Sequence, residues 1–223
     1  MEHEINPSRE IRDILLTIAL AMATLYAGDS AAAFIGLSSI WAPQLALLAV
    51  ALVLSRTEML VPNLRKHRGI LTGLALAPVA TFSAIIASLL WSNIFPQTPA
   101  TRQLAEALTP STTAEYLLYI GLTFLVVAPA EEIIFRGIVH GKFSRLMRRG
   151  LADVVSSAIF AAVHMDLSRL GPTFVLGLFL AYSVDRTRSL TPAILIHAIN
   201  NTAYITLLFL SSSTLAAENL VLP

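Results

Sequence analysis

The 223-residue chain has no cysteine, which excludes disulfide frameworks, cysteine-bound zinc and thiol nucleophiles. Charge is also scarce: 13% of residues are Asp, Glu, Lys or Arg, against about 25% in an ordinary soluble domain. A formal net charge of +1 excludes a strongly basic nucleic-acid binder, and the low charge excludes a disordered polyelectrolyte. No internal repeat, low-complexity tract or Gly-rich phosphate loop is present. What is abundant is apolar: 56% of residues are hydrophobic and the mean hydropathy is +0.72. The bilayer is the expected solvent, and the expected fold is an all-α polytopic bundle forming a single membrane domain over residues 1–223.

Apolar runs bounded by charge, Pro or Gly extend over Ile14–Gly28, Ile40–Leu54, Ile70–Trp91, Tyr116–His140, Leu151–His164, Leu170–Val184 and Pro192–Leu210, so about seven spans are expected, with eight as the alternative. Ala31 to Ile40 is apolar too, so the second span is allowed an earlier start with a bend at Pro43. Thr101 to Leu108, set among prolines, is expected as a short interfacial helix. Lys and Arg occur in alternate connections: Arg9 and Arg12; Arg56, Arg65, Lys66 and Arg68; Lys142, Arg145, Arg148 and Arg149; Arg186 and Arg188. The other side has only Arg102 and Arg169. Because inward loops carry the cation excess, the N-terminus is expected in the cytoplasm and the C-terminus outside. The acidic start of the chain, with Glu2, Glu4, Glu10 and Asp13, argues against a cleaved signal peptide.

A charged side chain at mid-bilayer costs about 2.5–3.5 kcal/mol on insertion scales, so polar groups inside spans require a reason. The fourth span reads Ala-Pro-Ala-Glu131-Glu132-Ile-Ile-Phe-Arg136-Gly. Glu132 and Arg136, four apart, share a helix face and offset each other's desolvation, whereas Glu131 points about 100° away and is left free. The fifth span ends Phe160-Ala-Ala-Val-His164, and the seventh carries His197-Ala-Ile-Asn200-Asn201, with His197 and Asn201 on one face. Singly, an intramembrane His or Asn reads as an interhelical hydrogen bond; an unpaired carboxylate such as Glu131 needs a cavity or a task.

Glu-Glu-x-x-x-Arg, Phe-x-x-x-His and His-x-x-x-Asn, in that order on successive membrane helices, resemble the CAAX protease and bacteriocin-processing (Abi) family, which includes the Ras-converting CAAX endopeptidases. The resemblance covers residues 115–210. It implies a metal-free intramembrane glutamate protease with no cofactor, whose cavity opens toward the cytosol. By motif position, Glu131 and His164 would activate water, His197 and Asn201 would stabilise the oxyanion, and Glu132, Arg136 and Phe160 would support the site. The implied partners are lipids and a peptide or prenylated protein, cleaved near the cytoplasmic side; the expected location is the plasma (inner) membrane of a prokaryote.

Two rivals keep the same residues. Two His and a Glu form a known zinc set, but here they come from separate helices without His-Glu-x-x-His. A non-catalytic scaffold or immunity-type protein would use the polar groups only for packing. A transporter would need a polar track or broken repeat helices, which the sequence lacks. One tension concerns depth: counted from Gly150, His164 lies deeper than Glu131 does from Gly141, unless the chain tilts strongly or Gly141–Gly150 forms a basic interfacial helix.

Overall fold

A computed structural model describes residues 5–34, 40–56 and 69–221, with side chains through Ser212. Eight helices and no strand occur among the described residues: α1 (Pro7–Phe34), α2 (Ala42–Leu54), α3 (Ile70–Trp91), α4 (Pro99–Leu108), α5 (Thr113–Leu146), α6 (Arg149–Ala162), α7 (Leu167–Thr187) and α8 (Thr191–Val221). All seven apolar runs are helical, which makes the chain a polytopic helical bundle. Five helices (α1, α3, α5, α7 and α8) are long and apolar enough to cross a membrane. The other two, α2 with 13 residues and α6 with 14, extend about 20 Å at 1.5 Å per residue, short of a hydrocarbon core of about 30 Å.

Several boundaries differ from expectation. Ala31 to Phe34 belong to α1, and Pro43 stands in the first turn of α2 rather than at a bend; a proline costs nothing there, because first-turn N–H groups have no helical acceptor. The helix of the seventh run continues beyond Leu210 to Val221. The fourth run also continues unbroken through Gly141 to Leu146, so no separate interfacial helix forms. That continuity removes the depth tension. Counted along α5 from Leu146 and along α6 from Arg149, Glu131 and His164 stand at one height, about 22 Å up at 1.5 Å per residue. The short interfacial helix appears as α4, capped by the Thr98 side chain accepting from Thr101 N–H.

Packing follows side-chain size. Gly73, Ala77, Ala80 and Ala84 form one buried edge of α3, and small residues let helix backbones approach closely in lipid. α3 packs there against α7 and α8, while α5 runs through the middle, touching α1, α2, α6, α7 and α8. The two ends of the bundle differ in charge. At one end Lys142 Nζ lies 2.9 Å from Glu10 and 3.0 Å from Asp13 of α1, and Arg145 reaches Glu10 at 3.2 Å. His140 meets Asp153 at 2.7 Å and Asp185 at 4.0 Å there. At the other end Trp91 Nε1–H donates to the Leu167 carbonyl at 2.7 Å, and Asp166 accepts from Thr98 at 2.9 Å and from Thr101. The latter bonds moor α4 to the turn between α6 and α7.

Candidate active site

Helix α5 is irregular on either side of the glutamates. It widens to i→i+5 bonding over Thr123–Val127 and again over Ile133–His140, with one ordinary stretch, Ala128–Glu132, between. Pro129 supplies a local cause: it has no N–H to donate and its ring crowds the preceding turn, and the Ala128 N–H just before it bonds back to the Thr123 carbonyl. Such wide turns inside α-helices recur at functional sites. Here two adjacent carboxylates lie between the wide turns, in opposite surroundings.

Glu132 is fully buried. Its Oε2 lies 3.3 Å from Arg136 Nε, and Arg136 also donates to Oε1 at 3.4 Å. His197 of α8 brings Nδ1 to 2.7 Å from the same Oε1. The carboxylate can only accept, so Nδ1 carries the proton. Arg136 is 1% exposed and has three neighbours that offset its burial: Glu132, the Gly177 carbonyl at 3.4 Å, and the face of Phe160 with the guanidinium carbon 4.0 Å from the ring centroid. A desolvated cation over an aromatic face contributes about 2 kcal/mol. Gly177 permits this approach, since a Cβ there would stand 2.9 Å from Ser157 Cβ and 3.3 Å from the guanidinium.

Glu131 faces a cavity of about 420 Å³ instead. Its Oε2 is buried yet accepts no hydrogen bond from the protein; the nearest ionisable partner is His197 Nε2 at 3.9 Å. His164 lines the same cavity. Its Nδ1–H donates to the Phe160 carbonyl at 2.7 Å, which leaves the Nε2 lone pair free, as a carbonyl cannot donate. Phe160 stands edge-on to both imidazoles, with centroids 5.0 Å from His164 and 5.9 Å from His197, and so sets their spacing. Asn201 also lines the cavity; its Oδ1 accepts from Asn200 at 3.3 Å, leaving its amide N–H groups available.

The structure thus brings Glu131, His164, His197 and Asn201 to one cavity, with Phe160 in its wall and Glu132 and Arg136 behind it. The zinc reading finds no support in this geometry. Among the described residues, three ligand atoms come within 4.8 Å of one another only at His140, Asp153 and Asp185, at the basic end, whereas Glu131, His164 and His197 form no such group. His140 is 1% exposed at the basic end and does not line the cavity.

Several contributors were not singled out from sequence. Asn200 and Arg169 line the cavity, and Gly177 enters through its carbonyl, which side-chain patterns do not reveal. Asp166 caps α7 by accepting from Ser168 N–H at 2.9 Å. Asp-x-Ser before an apolar run is an N-cap signature from which that contact is readable.

Residues 113–203 match the family described as type II CAAX prenyl endopeptidase Rce1-like, the resemblance that the three motifs carry. Among curated proteins, "Putative membrane peptidase YdiL" of Bacillus subtilis (strain 168) is 36% identical over 78 residues, covering 34% of this chain and 32% of that protein. The chain therefore spans about a third of the length of that relative. No solved structure matches.

Proposed function

With residues 113–203 matching the Rce1-like family, we propose that this integral membrane protein is an intramembrane endopeptidase in which Glu131, without a metal, activates the hydrolytic water. The observation that carries the reading is the contrast within one dipeptide: Glu132 is ion-paired with Arg136 and bonded to His197, while Glu131 faces the cavity and its Oε2 has no hydrogen bond from the protein. A carboxylate so placed takes a proton from water held between it and His164 Nε2. The oxygen of that water bonds to the scissile carbonyl carbon, and the electron pair moves to the carbonyl oxygen. Asn201 donates to the oxyanion, where charge develops. His197 adds a second donor from Nε2 only as an imidazolium, since its Nδ1–H is already committed to Glu132. When the oxyanion collapses, the C–N bond breaks and Glu131 returns its proton to the leaving amine.

The substrate class is a CAAX-type prenylated or other membrane-associated peptide, admitted to a cavity whose walls include Trp41, Phe95, Leu104 and Leu108. The test is cleavage of a quenched farnesylated CAAX-type peptide by detergent-purified protein, with and without chelator. Activity lost in Glu131→Gln and retained with chelator supports the reading. Loss on chelation would restore the zinc alternative, and full biological function in Glu131→Gln would favour the scaffold.

A further inference from the structure

The cation count and the family resemblance place the site on opposite sides of the membrane, and the fold makes the disagreement explicit. The cavity reaches the end of the bundle away from the basic end: it is lined by Trp41 and Gln44 at the start of α2, Ser88 and Ser92 at the end of α3, His164 past the end of α6 and Arg169 at the start of α7, while α8 contributes from His197 to Leu207. No lining residue comes from 7–13, 141–153 or 185–191, the segments joined by the Glu10–Lys142 and His140–Asp185 contacts. The connection carrying Arg65, Lys66 and Arg68, which lie outside the described residues, leaves from Arg56 and returns at Gly69. Gly69 approaches Thr187 so closely that a Cβ would stand 2.7 Å from its Cγ2, so this connection re-enters the bundle at the basic end. The three cation-rich segments within the described residues, together with Arg56, lie at the same end, and the cavity reaches the other, which carries Arg102 and Arg169.

Between the basic end and Glu131, α5 is buried. The run Ile133–His140 is buried at every residue, as are Gly141 and Lys142, so nothing in α5 offers a path from the basic end to Glu131. Since cytoplasmic loops carry the Lys and Arg excess, the basic end is cytoplasmic.

We infer that the cavity opens at the membrane face away from the cytoplasm, and that its substrates are membrane-anchored or secreted peptides presented on that outer face rather than prenylated tails made in the cytosol. The substrate half of this inference rests on the peptidase reading; the orientation half does not. It replaces the cytosolic opening implied by resemblance, which is incompatible with a cytoplasmic N-terminus in this fold.

The absence of cysteine makes the test direct. Gln97→Cys or Ser92→Cys places a thiol at the exposed cavity margin, and Gly150→Cys places one at the basic end, where a Cβ meets nothing within 4 Å. Each full-length variant, expressed in a bacterial inner membrane, is treated with a membrane-impermeant maleimide in spheroplasts and again after detergent. The expected result is full labelling of Gln97→Cys and Ser92→Cys in intact spheroplasts, with Gly150→Cys labelled only after permeabilisation. The reverse pattern, or a need for detergent at both margin positions, overturns the orientation. Labelling requires no turnover, so an inactive protein still reports its orientation, and failure to cleave any peptide counts against the peptidase reading alone.

Discussion

His197 Nδ1 lies 2.7 Å from Glu132 Oε1 while its Nε2 stands 3.9 Å from Glu131 Oε2, so one imidazole links the buried ion pair to the cavity carboxylate. Two neighbouring glutamates thereby acquire separate tasks, and substitutions at them have separable consequences.

Glu131→Gln keeps the shape and removes the base. Turnover is expected to fall about 10²–10⁴-fold, the usual worth of a positioned proton-transfer group. The unfolding midpoint in detergent should stay near wild type, because Oε2 has no protein partner to lose. Equal loss of stability and activity would contradict the division of tasks.

Glu132→Gln should do the opposite in order of severity. It leaves Arg136 buried without a counter-charge, and breaking a buried pair from one side costs about 3–5 kcal/mol. Denaturant or thermal melts should show that destabilisation, with activity lost as a result of a disordered His197.

Asn201→Ala tests the oxyanion role. Removing a single oxyanion donor costs about 10²–10³ in kcat, with KM little changed. A rise in KM at constant kcat would mean that Asn201 binds ground-state peptide instead.

Gly177→Ala is expected to destabilise by about 1–3 kcal/mol through overpacking, because the new methyl would meet Ser157 and the Arg136 guanidinium. Adding Ser157→Gly should recover part of the loss. An unperturbed single variant would show that α6 and α7 are less closely packed than the structure has them.

Asp166 gives a pH signature outside the spanning helices. Burial alone would raise its pKa, but hydrogen bonds from Thr101, Ser168 and Thr98 outweigh that and bring it from an ordinary 3.8 to about 2. A group whose folded pKa is depressed adds stability that is complete above its unfolded value and is lost as pH falls toward the folded one. Wild-type melting temperature should therefore decline between roughly pH 4 and pH 2 more steeply than that of Asp166→Asn, which has no charge to lose. Parallel curves would remove Asp166 as the mooring of α4.

The polar motifs were legible because helical periodicity fixes neighbours within one helix. The spacing of Glu132 and Arg136 correctly gave their pairing, and the 100° offset correctly turned Glu131 away from it. The Asp166 tie to Thr98 and Thr101 was not legible as a contact, because it joins segments separated by more than sixty positions. The fourth apolar run ends before Gly141 in the sequence, yet α5 continues through it; in the structure Gly141 and Lys142 are buried, and packing overrides the local signal.

The sequence alone determined that this chain enters a bilayer, since transfer of 56% apolar residues depends on composition and not on arrangement. It also determined which connections carry cations, and that three helices bear polar groups whose burial must be offset. The tertiary structure alone decided that Glu132 holds His197 as well as Arg136, that the Gly177 carbonyl receives the guanidinium, and that the cavity reaches the end opposite Lys142 and Arg145. Each of these is a relation between helices far apart in the chain, set by how closely their surfaces approach, and no periodicity within one helix encodes that distance.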